Sequence, residues 1–250
     1  MGTAIPLSNA RRALVAVLEY SRKIPTIPVS RALNLSALVQ ARNRSAYSIS
    51  WTAIFIRAYG IVSSRFPELR RSWISWPRPY LYEHPYSQCT VAVERDWDGE
   101  KVVLKAQIRE PESATLIEIH NQLRDFQSAD VWSVPEFQMS LRFGSLPTWL
   151  QRLILWTKLD MSGSRRVKHF GTFGMSNYGM LGAEAMHPIG PQTTVMTLSP
   201  IRPNGDLNVK LVYDHRVLDG SFVARCLTNL DEVLHDVILA EFVQGAREAA

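Results

Sequence analysis

Asp214-His215-Arg216-Val217-Leu218-Asp219-Gly220 joins two segments of different periodicity. Upstream, Asp206 to Tyr213 alternates apolar and polar positions, the two-residue period of a half-buried strand. Downstream, Val223, Cys226, Leu227, Leu230, Val233, Leu234 and Val237 recur at three- and four-residue spacing, which predicts an amphipathic helix. An imidazole therefore sits where a strand hands over to a helix, with a rigid element on each side. Imidazole is the side chain best suited to exchange a proton near neutral pH, so His215 is the first candidate for a general base. No Ser or Cys neighbours it in a triad-like motif, which leaves a substrate thiol or hydroxyl as the nucleophile it would activate. A lone histidine after a strand is more often a packed, hydrogen-bonded residue. The company of Asp214, Arg216 and Asp219 favours chemistry instead. Asp219 falls at the helix start, and a carboxylate is too costly to bury unpaired, so it should cap the helix or meet an arginine.

Composition narrows the class. The 250 residues, 46% hydrophobic and 20% charged, are ordinary for a globular protein with a real core. A net charge of +5 without any Lys/Arg run beyond short pairs argues against nucleic acid as a partner. Cys89 and Cys226 make no disulfide framework, no leader-like segment opens the chain, and no apolar run approaches the ~20 residues that span a bilayer. The expectation is a cytoplasmic protein with reduced thiols. Its histidines and cysteines lack zinc-ligand spacing and its glycines lack phosphate-loop spacing, so no metal site is expected.

Working back along the chain, Ser8 reads as the N-cap of a helix through Ala10, Leu14, Val17 and Leu18, and residues 26–35 as extended. Helices are predicted over about Ser36–Arg42, from Ser50 to before Pro67, and from Glu112 to about Phe126. The proline-rich residues 73–87 read as irregular. Cys89–Val93 and Val102–Ile108 read as strands around a Trp97-Asp98-Gly99 turn. Residues 127–168 read as a loop, an amphipathic segment from Leu146 to Leu159, and the polar stretch Ser162–Arg166. That amphipathic face, with Trp149, Leu153 and Trp156 on it, suits a membrane surface, an acyl pocket, or packing on its own protein or a neighbouring subunit; the last is the commonest fate of such a helix. Thr172–Ser176 and Thr194–Leu198 read as strands, and Ile201–Arg202 with Leu207–Tyr213 as a hairpin about Asn204-Gly205. Strands and helices mix without regular alternation, which predicts an α+β fold with a mixed sheet in a single domain over 1–250. Gly174-Met175-Ser176-Asn177-Tyr178-Gly179 ends a strand in a small polar turn. There Ser176 is either an ordinary turn serine or a hydroxyl placed to stabilise an oxyanion.

Tyr213 to Gly220 resembles the active-site signature of the dihydrolipoamide acyltransferases, the core subunits of 2-oxo acid dehydrogenase complexes. It is also similar to the His-x-x-x-Asp-Gly signature of chloramphenicol acetyltransferases. Gly171-Thr172-Phe173-Gly174-Met175-Ser176-Asn177-Tyr178-Gly179 is similar to a second segment of that family. Ile5 to Arg12 is similar to its catalytic opening, and Phe66-Pro67-Glu68-Leu69 with Trp73 to another stretch.

The resemblance implies a two-layer α/β sandwich assembled as a homotrimer with active sites between subunits. It implies a coenzyme A thioester as co-substrate, His215 as base and Ser176 as oxyanion donor, and Asp219 held by an arginine at the Arg11 position. Asn177 and Gly220 would support the site. The family's complex-forming members carry lipoyl and subunit-binding domains, and neither is expected here, nor a covalently attached lipoyl group. The strand after Gly99 departs from the family's Leu-Ile-Thr-Pro, which weakens lipoamide as acceptor, and the segment 127–168 is longer than the family's connector. The leading expectation is a standalone acyltransferase with a thiol or hydroxyl acceptor. A catalytically idle trimeric scaffold, or a lipoamide acyltransferase served by a separate lipoyl protein, stand as alternatives.

Overall fold

Ser8 starts the first helix as its hydroxyl predicts: Oγ accepts from the Arg11 amide at 3.2 Å, and α1 runs Asn9–Ser21. The structure, a computed structural model, describes residues 2–45 and 47–248. After α1 come β1 (Thr26–Asn34), α2 (Ser36–Arg44) and α3 (Trp51–Arg65), the last capped by Ser50. β2 (Arg71–Ile74) and β3 (Tyr80–Glu83) form a small separate hairpin. β4 (Gln88–Trp97) and β5 (Glu100–Arg109) turn over Asp98 and Gly99, both at positive φ. α4 (Leu116–Ser128) leads to three consecutive helices: α5 (Pro135–Ser145), α6 (Thr148–Leu159) and α7 (Gly163–Phe170). β6 (Phe173–Met175), β7 (Thr194–Leu198), β8 (Asp206–Asp214) and α8 (Gly220–Val233) follow, and a π-helical turn over Leu234–Ile238 leads into α9 (Leu239–Glu248).

The main sheet has six strands in the order β1-β8-β7-β6-β4-β5, with β4–β6 and β6–β7 parallel and the other pairs antiparallel. The α+β fold with a mixed sheet is as expected. Alternation sorts each strand between two faces. On β5, Val102, Leu104, Ala106 and Ile108 are buried in the principal core, which also takes Ile54, Phe55 and Tyr59 of α3 and Val223, Leu227 and Leu230 of α8. Lys101, Val103, Lys105 and Gln107 turn to the other face; α1 and α5 pack against β5, and α6 packs on α1 and α7. A second, smaller core of Ala16, Leu155, Leu159 and Phe170 forms there. Gly144 is what lets α5 meet α1, since a Cβ at that position would run into the Asn9 carbonyl.

Several local expectations differ from this arrangement. Residues 127–145 are not a loop, because Pro135 opens α5 and Phe137 and Leu141 bury one side of it. α6 turns only Gln151, Leu155 and Leu159 fully inward, while Trp149 (68%), Leu153 (47%) and Trp156 (39%) stay exposed. The stretch Ser162–Arg166 enters α7, and Arg166 is buried: its guanidinium donates to the carbonyls of Leu159 (3.0 Å), Trp73 (3.3 Å) and Pro191. Residues 73–87 contain β3 rather than being irregular throughout. Asn204-Gly205 does turn the chain, but β8 pairs with β7, and Ile201–Arg202 lie in the connection.

Candidate active site

β8 ends at Asp214, whose amide donates to the Thr193 carbonyl (2.9 Å) and whose side chain is 1% exposed. Its carboxylate accepts from the Arg216 amide (3.0 Å), Nε (2.9 Å) and Nη2 (2.7 Å), which folds the next turn back on the strand. Val217 and Leu218 amides donate to the Asp214 carbonyl, and the His215 amide donates to the Pro25 carbonyl at 2.9 Å. The backbone of His215 is thus pinned on both sides while its ring stays 43% exposed. Its Nδ1 lies 3.8 Å from the Asp219 carboxylate, a charge contact longer than a hydrogen bond.

Asp219 occupies the N-cap position of α8 but its side chain makes no capping bond, and at 84% exposure it needs no buried partner. The expected ion pair with Arg11 does not form within the chain. Arg11 instead donates to Glu100 at 3.2 Å, because α1 lies beside the start of β5. Gly220 is small for a local reason: a Cβ there would come 3.1 Å from the Tyr213 hydroxyl.

Ser176 follows β6, and its amide donates to the Met196 carbonyl at 3.0 Å. Asn177 secures the turn, accepting from the Gly179 amide (2.9 Å) and donating to Thr52 Oγ1 of α3 (3.2 Å). Within one chain Ser176 and His215 do not meet. Met175 pairs with Met196 and Met196 with Leu211, so Ser176 lies beside Lys210 in register, five residues from His215. That is about 17 Å along the strands and about 10 Å across them.

A cavity of about 380 Å³ opens at Ser176, between the sheet and α1, α5 and α6. Val17, Val103, Phe143 and Leu155 give it an apolar wall, and Lys105, Lys158 and His169 also line it. The Lys105 ammonium donates to the His169 carbonyl (2.7 Å) and stands 3.8 Å from the Phe170 ring centre. Burial first, then Lys158, pushes Lys105 down to about 7. Burial, followed by Lys158, Lys105, Lys168 and Arg165, pushes His169 down to about 4, so its ring is neutral at pH 7. The sequence reading missed this cluster. Its one signal was Lys105 on the strand face away from Leu104 and Ala106, a place that reads as solvent until α5 and α6 cover it. Among the described residues no group of three or more His, Cys, Asp or Glu is arranged to hold a metal, and no helix is long and apolar enough to cross a membrane.

A family model described as the 2-oxoacid dehydrogenases acyltransferase catalytic domain matches residues 2–130, stopping just before α5. Among solved structures, the chain is similar to a probable dihydrolipoamide acetyltransferase of Listeria monocytogenes, with 20% identity and a TM-score of 0.67 over 94% of this chain and 95% of that one. It is similar to the dihydrolipoamide acetyltransferase of Azotobacter vinelandii, with 17% identity and a TM-score of 0.66 over 95% of this chain and 93% of that one. A chloramphenicol acetyltransferase follows at 10% identity and a TM-score of 0.53, over 94% and 100%. No curated protein sequence matches significantly. The likeness of fold covers 94% of this chain and so extends well beyond the end of the family match at residue 130.

Proposed function

This chain belongs to the 2-oxoacid dehydrogenase acyltransferase family and is an acyl-transferring enzyme, and we propose that it moves an acyl group from coenzyme A to a thiol or hydroxyl acceptor at a site shared by two copies in a homotrimer. The observation that carries the reading is the pinned His215, with Nδ1 turned to Asp219 and a ring open to a substrate. His215 takes the proton from the acceptor, and the freed lone pair attacks the thioester carbonyl. Ser176 Oγ of a neighbouring copy donates to the oxyanion. Collapse breaks the carbon–sulfur bond, and the imidazolium returns the proton to the leaving coenzyme A thiolate. No acyl-enzyme forms.

The separation of Ser176 from His215 within one chain supports a shared site, since neither can serve a carbonyl held by the other. Exposed apolar side chains also support subunit contact, among them Leu181 (81%), Met186 (69%) and Ile189 (45%) on the chain that leaves Ser176.

The test is transfer from a series of acyl-coenzyme A thioesters to small thiols, free dihydrolipoamide and alcohols, followed by thiol release. Turnover should appear and should fall by about a hundredfold or more in His215→Ala, with the same mass by light scattering. Absence of transfer to every acceptor, or full activity in His215→Ala, overturns the reading.

A further inference from the structure

Lys105 and Ser176 look into the same cavity from the same row of the sheet. Lys105 is paired with Ala92 of β4, and Ser176 extends β6 one residue beyond the Val91–Met175 pair, so all three share a row and a face. Two strand spacings set the Lys105 and Ser176 backbones about 10 Å apart. The surface between them is apolar, floored by Ala92 and roofed by Phe143 and Leu155. At the far end two ammonium groups, Lys105 and Lys158, line the same space without a carboxylate in an ion pair with either among the described residues. Glu136 is the one acid that acts on Lys105, and it does so less than burial or Lys158. Charge on both lysines under an apolar roof is costly, and the cost is met either by loss of the Lys105 proton or by an anion that joins the two.

We propose that the cavity holds an apolar chain ending in a carboxylate, with the carboxylate between Lys105 and Lys158 and the other end of the chain at Ser176. His169, neutral, adds a hydrogen-bonding ring rather than a charge. The assignment of the Ser176 end rests on the acyltransferase reading: the group transferred is then an acyl chain with a distal carboxylate. A plain alkyl chain leaves the lysines unmatched, and a small charged acyl group leaves the apolar wall unused. The segment that builds this pocket, α5 to α7, lies outside the stretch matched by the family model.

Binding is measured by titration calorimetry with octanoate, 1-octanol and octylamine on the full chain. Octanoate should bind about tenfold or more tighter than octanol, the worth of one charge-assisted hydrogen bond. Lys105→Met and Lys158→Met should each shrink that ratio toward one while keeping octanol binding. The Lys158 side chain makes no hydrogen bond among the described residues, so its variant decides the matter if Lys105→Met loses its fold by circular dichroism. Equal binding of octanoate and octanol, or an unchanged ratio in the variants, overturns the proposal. His215→Ala should bind octanoate like the parent. Octanoate preference without any acyl transfer therefore rejects only the catalytic reading. Acyl transfer that is no faster for suberyl- than for octanoyl-coenzyme A, with no octanoate preference, rejects only the cavity assignment.

Discussion

Arg216 closes a two-point ion pair on the buried Asp214, with Nε and Nη2 at 2.9 and 2.7 Å from its two carboxylate oxygens, while its guanidinium lies over the Trp73 ring. His215 sits between the two residues of this clamp. The pair therefore fixes the backbone on either side of His215, while Asp219 is the acid beside its ring. Bidentate geometry makes such a pair worth more than a point contact.

Arg216→Met removes the clamp and leaves the Asp214 carboxylate buried without its cation. Loss of one partner of a buried pair costs about 3 kcal/mol or more. Urea unfolding should show a lower midpoint with an unchanged slope, and acyl transfer should fall with it. An unchanged midpoint would show that solvent takes over the role of Arg216.

Ser176→Ala tests the oxyanion role without touching the His215 turn. Transfer should slow by about 10²–10³-fold, with substrate binding and circular dichroism unchanged. A loss confined to KM would make Ser176 a binding residue instead.

Gly144→Ala tests whether the α1–α5 contact supports the cavity. A methyl group there meets the Asn9 carbonyl, and overpacking of this kind costs about 1–3 kcal/mol. The melting temperature should drop and octanoate binding weaken, whereas the neighbouring exposed Ser145→Ala should stay within about 0.5 kcal/mol of the parent. Equal melting of the two variants would mean that α1 moves aside freely.

Lys105 also predicts a proton linkage. Its folded pKa, pushed down to about 7, lies below that of an unfolded lysine. The charged form therefore burdens the folded state below pH 7, and that burden lifts as pH rises from about 7 toward the unfolded value. A bound carboxylate favours the charged form, so octanoate binding at pH 8 should take up roughly one proton. Calorimetry in two buffers of different ionisation heat reads this uptake directly. Heats that do not depend on the buffer would show that Lys105 does not meet the ligand.

Helix caps at Ser8 and Ser50, the strands on either side of Asp98-Gly99, and the strand-to-helix turn at His215 were legible because each depends on neighbours within a few residues, whereas β8 alternates only at its start and is buried on both faces from Val209 to Asp214. A side-chain hydroxyl meets an amide three positions on, and a two-residue period turns one face inward, whatever surrounds them. The family resemblance was legible for the same reason, since its motifs are contiguous. Asp219 and Arg11 were read as partners from their places in those motifs. Yet the side chain that reaches Arg11 is Glu100, brought there by the packing of α1 along β5.

The cavity was beyond any local reading. Lys105, Lys158 and His169 come from a strand, the end of one helix and the last turn of the next helix. Each looks like an ordinary surface base until α5 and α6 fold over the open face of β5. The same holds for Arg166, which belongs to a polar run in the chain and to a buried strut in the fold. Short-range periodicity determines which elements form and where a proton-transferring residue stands between them. Only long-range packing decides which charges lose their water, and desolvation is what turns a lysine on a strand into a place for an anion.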